Sequence, residues 1–191
     1  MRRYVAFMRA LNVGGHIVKM DYLRSLFESL GFGGVESFIA SGNVIFDSPS
    51  NDTADLERRI EAHLKQALGY EVATFLRSPA EVDAAAARRP FRDADPLPEG
   101  HTLQVIFLKA APDAEARRKV AELGTDYDAF HVEGRELYWW TRGRSSDSKV
   151  NPKRLEKALG MTGTARNVTT VRKLAAKYPP PRSGTLGIVA G

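Results

Sequence analysis

The sequence predicts an α+β protein of two tandem ferredoxin-like units with antiparallel sheets, plus a C-terminal helix. Three observations carry that prediction. The order β-α-β-β-α-β, the split βαβ arrangement, can be read from hydrophobic periodicity in the first half of the chain and again in the second. The two readings are separated by Pro90 to Gly100, with three prolines and a glycine, which reads as a linker. Several of the helices end at a glycine, the residue that most readily takes the left-handed C-terminal position.

The first unit, 1–89, opens with an apolar strand at Tyr4 to Met8. A helix follows with Met20, Leu23, Leu26, Phe27 and Leu30 on one face, the steps of three and four that a helix requires, and Gly31 stops it. Val35 to Ala40 and Val44 to Asp47 flank Ser41-Gly42-Asn43 and read as a hairpin. A second helix from about Thr53 buries Leu56, Ile60, Leu64 and Leu68 and stops at Gly69; Val72 to Leu76 supplies the last strand. Ser78-Pro79-Ala80-Glu81 is a capping box with proline at the first helical position, so a short helix runs on to Arg89.

The pattern recurs across 101–177. Strand Thr102 to Lys109 leads to a helix from Pro112 to Leu123 closed by Gly124. Tyr127 to Val132 and Arg135 to Thr141 form a hairpin about Glu133-Gly134, and Pro152 to Leu159 is a helix closed by Gly160. A last strand falls at Gly163 to Arg166, and a final helix from Asn167 buries Val168, Val171 and Leu174. Residues 178–191, with a run of three prolines, read as a mobile tail. The two tryptophans, Trp139 and Trp140, alternate across one strand, a pattern that packs side chains between the two halves.

Composition narrows the class. Hydrophobic residues are 43% of the 191 and charged residues 27%, which describes a folded, water-soluble chain. The N-terminal apolar run is broken by Arg9, too short for a signal-peptide core or a membrane span. The absence of cysteine excludes disulfides and thiol catalysis and suits a reducing cytoplasm. Charge is uneven: twelve basic against four acidic residues from Glu133 onward, but sixteen against nineteen before it. The basic third suits either a solvated face or a phosphate-rich partner.

The candidate site lies at one edge of the first unit. Split βαβ topology brings the end of strand one beside the first hairpin, so Arg9, Asn12, Gly14 and Gly15 are expected near Ser41, Gly42 and Asn43. The second unit makes the equivalent crossover with Ala110-Ala111-Pro112, against about nine residues for Ala10 to Val18. The long loop is therefore unnecessary for joining helix to strand, and its length points to binding or an interface. A glycine-rich loop leading into a helix can offer backbone N–H groups to an anion. Arg9 would add a planar donor fork, Lys19 a charge near the helix N-terminus, and Asn12 and Asn43 orienting amides. Each has a structural alternative: the asparagines and glycines suit left-handed turns, and Arg9 suits a carboxylate partner within the fold.

These residues also carry a family likeness. R-x-x-N-V-G-G at Arg9 to Gly15, Lys19-Met20, and S-G-N-V at Ser41 to Val44 resemble the domain of unknown function 1697 family. So do Ser148-Lys149 and Thr164-Ala165-Arg166-Asn167 with Thr170-Val171, and the resemblance spans about residues 2–176. Val168 stands where members often have tryptophan. The family has no assigned activity, so the resemblance implies shared residues and a fold but no reaction. It adds Ser148, Lys149, Arg166 and Asn167 to the candidate site, provided that the second unit folds back over the first.

Catalytic signatures are lacking. His16, His63, His101 and His131 show no metal-ligand spacing, and there is no Walker loop, nucleophile elbow or dinucleotide fingerprint. No cofactor is implied. The leading expectation is a binding protein for a small anionic or phosphorylated ligand. The alternatives are nucleic-acid binding through Arg142, Arg144, Lys149 and Arg172, and an enzyme of unassigned activity.

Overall fold

The computed structural model describes residues 1–12, 14–39 and 42–181. Strand β1 (Arg2–Arg9) is followed by α1 (Met20–Ser29), β2 (Gly33–Ser37), β3 (Asn43–Ser48), α2 (Thr53–Leu68), β4 (Ala73–Arg77) and α3 (Pro79–Ala87). The second half repeats the order with β5 (Thr102–Leu108), α4 (Ala114–Ala121), β6 (Asp128–Glu133), β7 (Glu136–Thr141), α5 (Pro152–Leu159) and β8 (Gly163–Asn167), and α6 (Val168–Lys177) closes it. Each half has one four-stranded antiparallel sheet, ordered β2-β3-β1-β4 and β6-β7-β5-β8. The chain is thus a two-unit α+β fold.

Local chemistry sets the boundaries. Asp52, Ser78, Asp113, Asn151 and Asn167 each accept a backbone N–H at a helix start, and the Ser78–Glu81 capping box is closed in both directions. Strand β2 is shifted from expectation, because Gly34 at φ +55° introduces a bulge and Ile39 at φ +49° leaves extended geometry. Ala40, the last residue of the expected strand, and Ser41, the first of the expected hairpin corner, lie outside the described residues.

Alternation along the central strands builds three cores. Tyr4, Ala6 and Met8 of β1 face α1 and α2, meeting Leu23, Phe27, Ile60 and Leu64. On the far side, Ile106 and Leu108 of β5 face Val120, Leu155 and Leu159 of α4 and α5. The opposite faces meet in the middle: Val5 and Phe7 pack with Val105, Phe107, Tyr138 and Trp140, joined by Val82 and Ala85 of α3 and Val171 and Leu174 of α6. Trp140 lies in this central core and Trp139 in the outer one, so the two tryptophans serve different layers.

The expected linker and the first residue of the expected tail are packed. Residues 90–100 contain a 3-10 turn, Arg92–Ala94, with Ala94 buried and Phe91 and Leu97 against the central core. Tyr178, the first residue of the expected tail, is buried and donates its hydroxyl to Glu36 at 2.7 Å; residues 182–191 lie outside the described range.

Candidate functional site

Loop 10–19 leaves β1 through Ala10, which has φ +58°, and is anchored at two apolar points, Leu11 and Val18, both buried. Asn12, itself exposed, closes it, its Oδ1 accepting the Val18 N–H at 3.0 Å, and Tyr70 donates its hydroxyl to the Leu11 carbonyl at 2.7 Å. Asn12 is thus a loop-closing residue. Between the anchors, Gly14 and Gly15 hold φ +61° and +83°, conformations that explain both glycines. Beyond them His16 stacks on Tyr70, with ring centroids 4.7 Å apart.

Lys19 stands at the N-cap of α1, exposed and with no side-chain cap at that helix end. Among the described residues it has no ion-pair partner, since Asp21 in the first turn pairs with Arg24. Lys19, His16, Ile17, Tyr22 and Tyr70 line an open concavity of 390 Å³ with Val18, Ala67 and Leu68.

The neighbouring edge is bound across the two units. Gly42 has φ +79°, and its carbonyl accepts the Met8 N–H at 2.9 Å. Asn43 is fully buried; its amide nitrogen donates to the Phe38 carbonyl at 3.0 Å, and its Oδ1 accepts from Arg166 Nε at 2.6 Å. Arg166, on β8, also donates from Nη1 to Thr164 Oγ1 and the Ala165 carbonyl, and from Nη2 to the carbonyls of Met8 and Gly42. All five guanidinium hydrogens are therefore committed to neutral acceptors. Desolvation pushes its pKa down to about 10, leaving it charged at neutral pH. Arg9 is likewise engaged, with Nη1 2.7 Å from Glu156 on α5.

The fold thus brings Arg9, Gly42, Asn43 and Arg166 together around Met8, with Asn12, Gly14, Gly15 and Lys19 in the loop that continues from β1. It does not bring Ser148 into that group. Ser148 donates to the buried Asp128 carboxylate at 2.7 Å and accepts the Val150 N–H, while Trp139 Nε1 donates to the same carboxylate at 2.8 Å. The exposed Lys149 lies beside this network, and Asn167 caps α6 through the Thr169 N–H. The burial of Trp139 and Trp140 leaves the basic third without an exposed tryptophan for stacking bases. Among the described residues no group of acidic or histidine side chains is arranged to hold a metal, and no helix is long and apolar enough to cross a membrane.

Sequence reasoning missed Glu156, Thr164, His16 and Tyr70 as parts of this region. The first two become visible only once the second unit is seated on the first. His16 and Tyr70 are fifty-four residues apart in sequence and joined only by the fold.

With the geometry in place, comparison supplies a family. Residues 1–138 match the family described as "Protein of unknown function (DUF1697)", and the chain belongs to it. Among solved structures it is similar to the conserved bacterial protein SP0830 from Streptococcus pneumoniae. The TM-score is 0.70 at 23% identity, covering 92% of this chain and 97% of that one, a likeness of fold. No curated protein matches the chain.

Proposed function

We propose that the chain binds a small anionic molecule, such as a phosphorylated metabolite, at the edge formed by loop 9–19 and the 41–43 hairpin. The observation that carries this reading is Lys19. The other two cations of the edge, Arg9 and Arg166, are bonded within the protein, whereas Lys19 stands exposed at an uncapped helix N-terminus, at the end of the loop that holds two left-handed glycines. Free N–H groups at such a terminus favour negative charge, and a lysine at the same place adds to that preference. Tyr22 and Tyr70 in the same concavity give the ligand an apolar or ring-bearing portion to rest against. Ser148 and Asn167 support the second unit, and neither they nor the exposed Lys149 have a part in ligand contact in this reading.

A thermal-shift panel of phosphorylated and carboxylated metabolites tests it, run with the parent and Lys19→Ala. Stabilisation of the parent that is lost in the variant supports the reading, because a ligand that binds only the folded state raises its melting temperature. Equal stabilisation of both proteins, or of neither, counts against it.

A further inference from the structure

The two units are joined by reciprocal contacts, and at one pair of equivalent positions the reciprocity fails. Arg77 on β4 lies opposite Val5 in register, and Arg166 on β8 lies opposite Val105. Arg77 reaches into the second unit to the carbonyls of Leu108 and Arg135, just as Arg166 reaches into the first to those of Met8 and Gly42. The residue that receives each Nε is also equivalent, since Asn43 pairs with Phe7 in register and Glu136 pairs with Phe107. Arg77 therefore meets a carboxylate at 2.6 Å where Arg166 meets a neutral amide at 2.6 Å. No carboxylate among the described residues hydrogen-bonds Arg166 or forms an ion pair with it, and Glu156, which lines a cleft with the adjacent Ala165, is paired with Arg9.

One end of the interface is thus neutralised and the other carries a charge, and the charged end is the one with the long glycine loop. Resting on the anion-binding reading above, we propose that Arg166 supplies positive potential to the glycine-loop edge by its charge, without direct contact, and that Asn43 keeps that charge uncompensated. Arg166 is in this sense a positioning residue. Its hydrogen bonds fix the Met8 and Gly42 backbones, and its desolvated charge acts over the short distance to the loop that follows Met8, where solvent screens it incompletely. The class of ligand is one with a compact anionic group, phosphate or carboxylate.

The test follows the backbone amides of Gly14 and Gly15 by NMR as inorganic phosphate is added to the full chain at low salt. In the parent these amides should shift saturably. In Asn43→Asp, which gives Arg166 the carboxylate that Arg77 already has, phosphate affinity should fall about tenfold. Asn43→Asp also removes the donor to the Phe38 carbonyl, so Arg166→Gln serves as a second removal of the charge with the same expected loss. Arg166→Lys keeps the charge without the fork and should stay within about threefold of the parent. Unchanged affinity in Asn43→Asp or Arg166→Gln overturns the proposal, as does a loss in Arg166→Lys equal to that in Arg166→Gln. If neither charge-removing variant folds, Arg166→Lys decides: retained affinity supports the proposal and lost affinity overturns it. A parent whose amides do not respond fails the anion-binding reading itself, an outcome distinct from a responsive parent with indifferent variants.

Discussion

Phe7 and Phe107 stack nearly parallel, interplanar angle 9°, with centroids 3.9 Å apart, and they occupy equivalent positions on the central strands of the two sheets. The polar contacts around them are exchanged in the same way. Arg77 lies over the Phe107 ring and Arg166 over the Phe7 ring. Arg9 at the end of β1 pairs with Glu156 of α5, while Lys109 just after β5 reaches Glu57 and Glu61 of α2 and the Thr74 carbonyl. Within one chain this reproduces the self-complementary contact of a two-fold dimer.

The stacked pair sits in a core shared by both units, so truncating either ring should weaken both. Phe107→Ala is expected to cost about 3 to 5 kcal/mol in urea unfolding. It should do so through one cooperative transition seen alike by tryptophan fluorescence and far-ultraviolet dichroism. Two separated transitions would show that the units unfold independently.

Glu136 is the counter-ion of Arg77, whose side chain is fully buried; desolvation lowers the Arg77 pKa and Glu136 works to raise it. Glu136→Ala leaves that guanidinium buried without a compensating charge and is expected to cost about 3 kcal/mol. Glu136→Gln, which reproduces the neutral partner found at Asn43, should cost less than half as much. Chemical unfolding of the two variants side by side measures the difference.

Gly42 carries φ +79° with Met8 and Leu11 about 3.4 to 3.5 Å from where a side-chain carbon would stand. Gly42→Ala should therefore destabilise the chain by about 1 kcal/mol or more, from backbone strain in a tight space. Gly15 has a similar φ of +83° but open space around it. Gly15→Ala should show the conformational cost alone, and the gap between the two variants isolates the packing at the hairpin.

Acid should act partly through Glu36. Its pKa lies below the usual carboxylate value, first because the Tyr178 hydroxyl hydrogen-bonds to it and then because Lys177 is nearby. A carboxylate depressed in the folded state contributes stability above its ordinary value of 4.5, and that stability is lost as pH falls through the folded value. Tyr178→Phe should therefore flatten the decline of the unfolding midpoint below pH 4.5 while leaving other carboxylates to titrate as before. An unchanged acid limb would show that the Glu36–Tyr178 bond does not persist in solution.

What could be read in advance followed from local physics. Helix α2 with its stop at Gly69, the Ser78 capping box, and α5 between Pro152 and Gly160 depend on side chains within a few residues of one another, and all appear at the positions expected. The seating of one unit on the other depends on contacts across 31 to 158 residues, such as Arg77 to Leu108 and Arg166 to Met8, which leave no period in the sequence. For that reason Arg166 read as a ligand contact, although all five of its hydrogens are bonded within the protein, three of them across the interface. The same limit applies to Ser148, a candidate through the family resemblance, whose hydroxyl serves the buried Asp128. The anomalous length of loop 10–19 was visible without any structure, because the second unit supplies a short version of the same crossover.

Amide chemical-shift mapping with the most stabilising compound of the thermal-shift panel decides whether an anion binds at the proposed glycine-loop edge. The largest changes are expected at Gly14, Gly15, His16 and Lys19, and Lys19→Ala should abolish them. Changes centred instead on the separate 730 Å³ cleft lined by Arg2, Arg3, Ser78 and Glu81 would rule that edge out and move the site to the opposite end of β1.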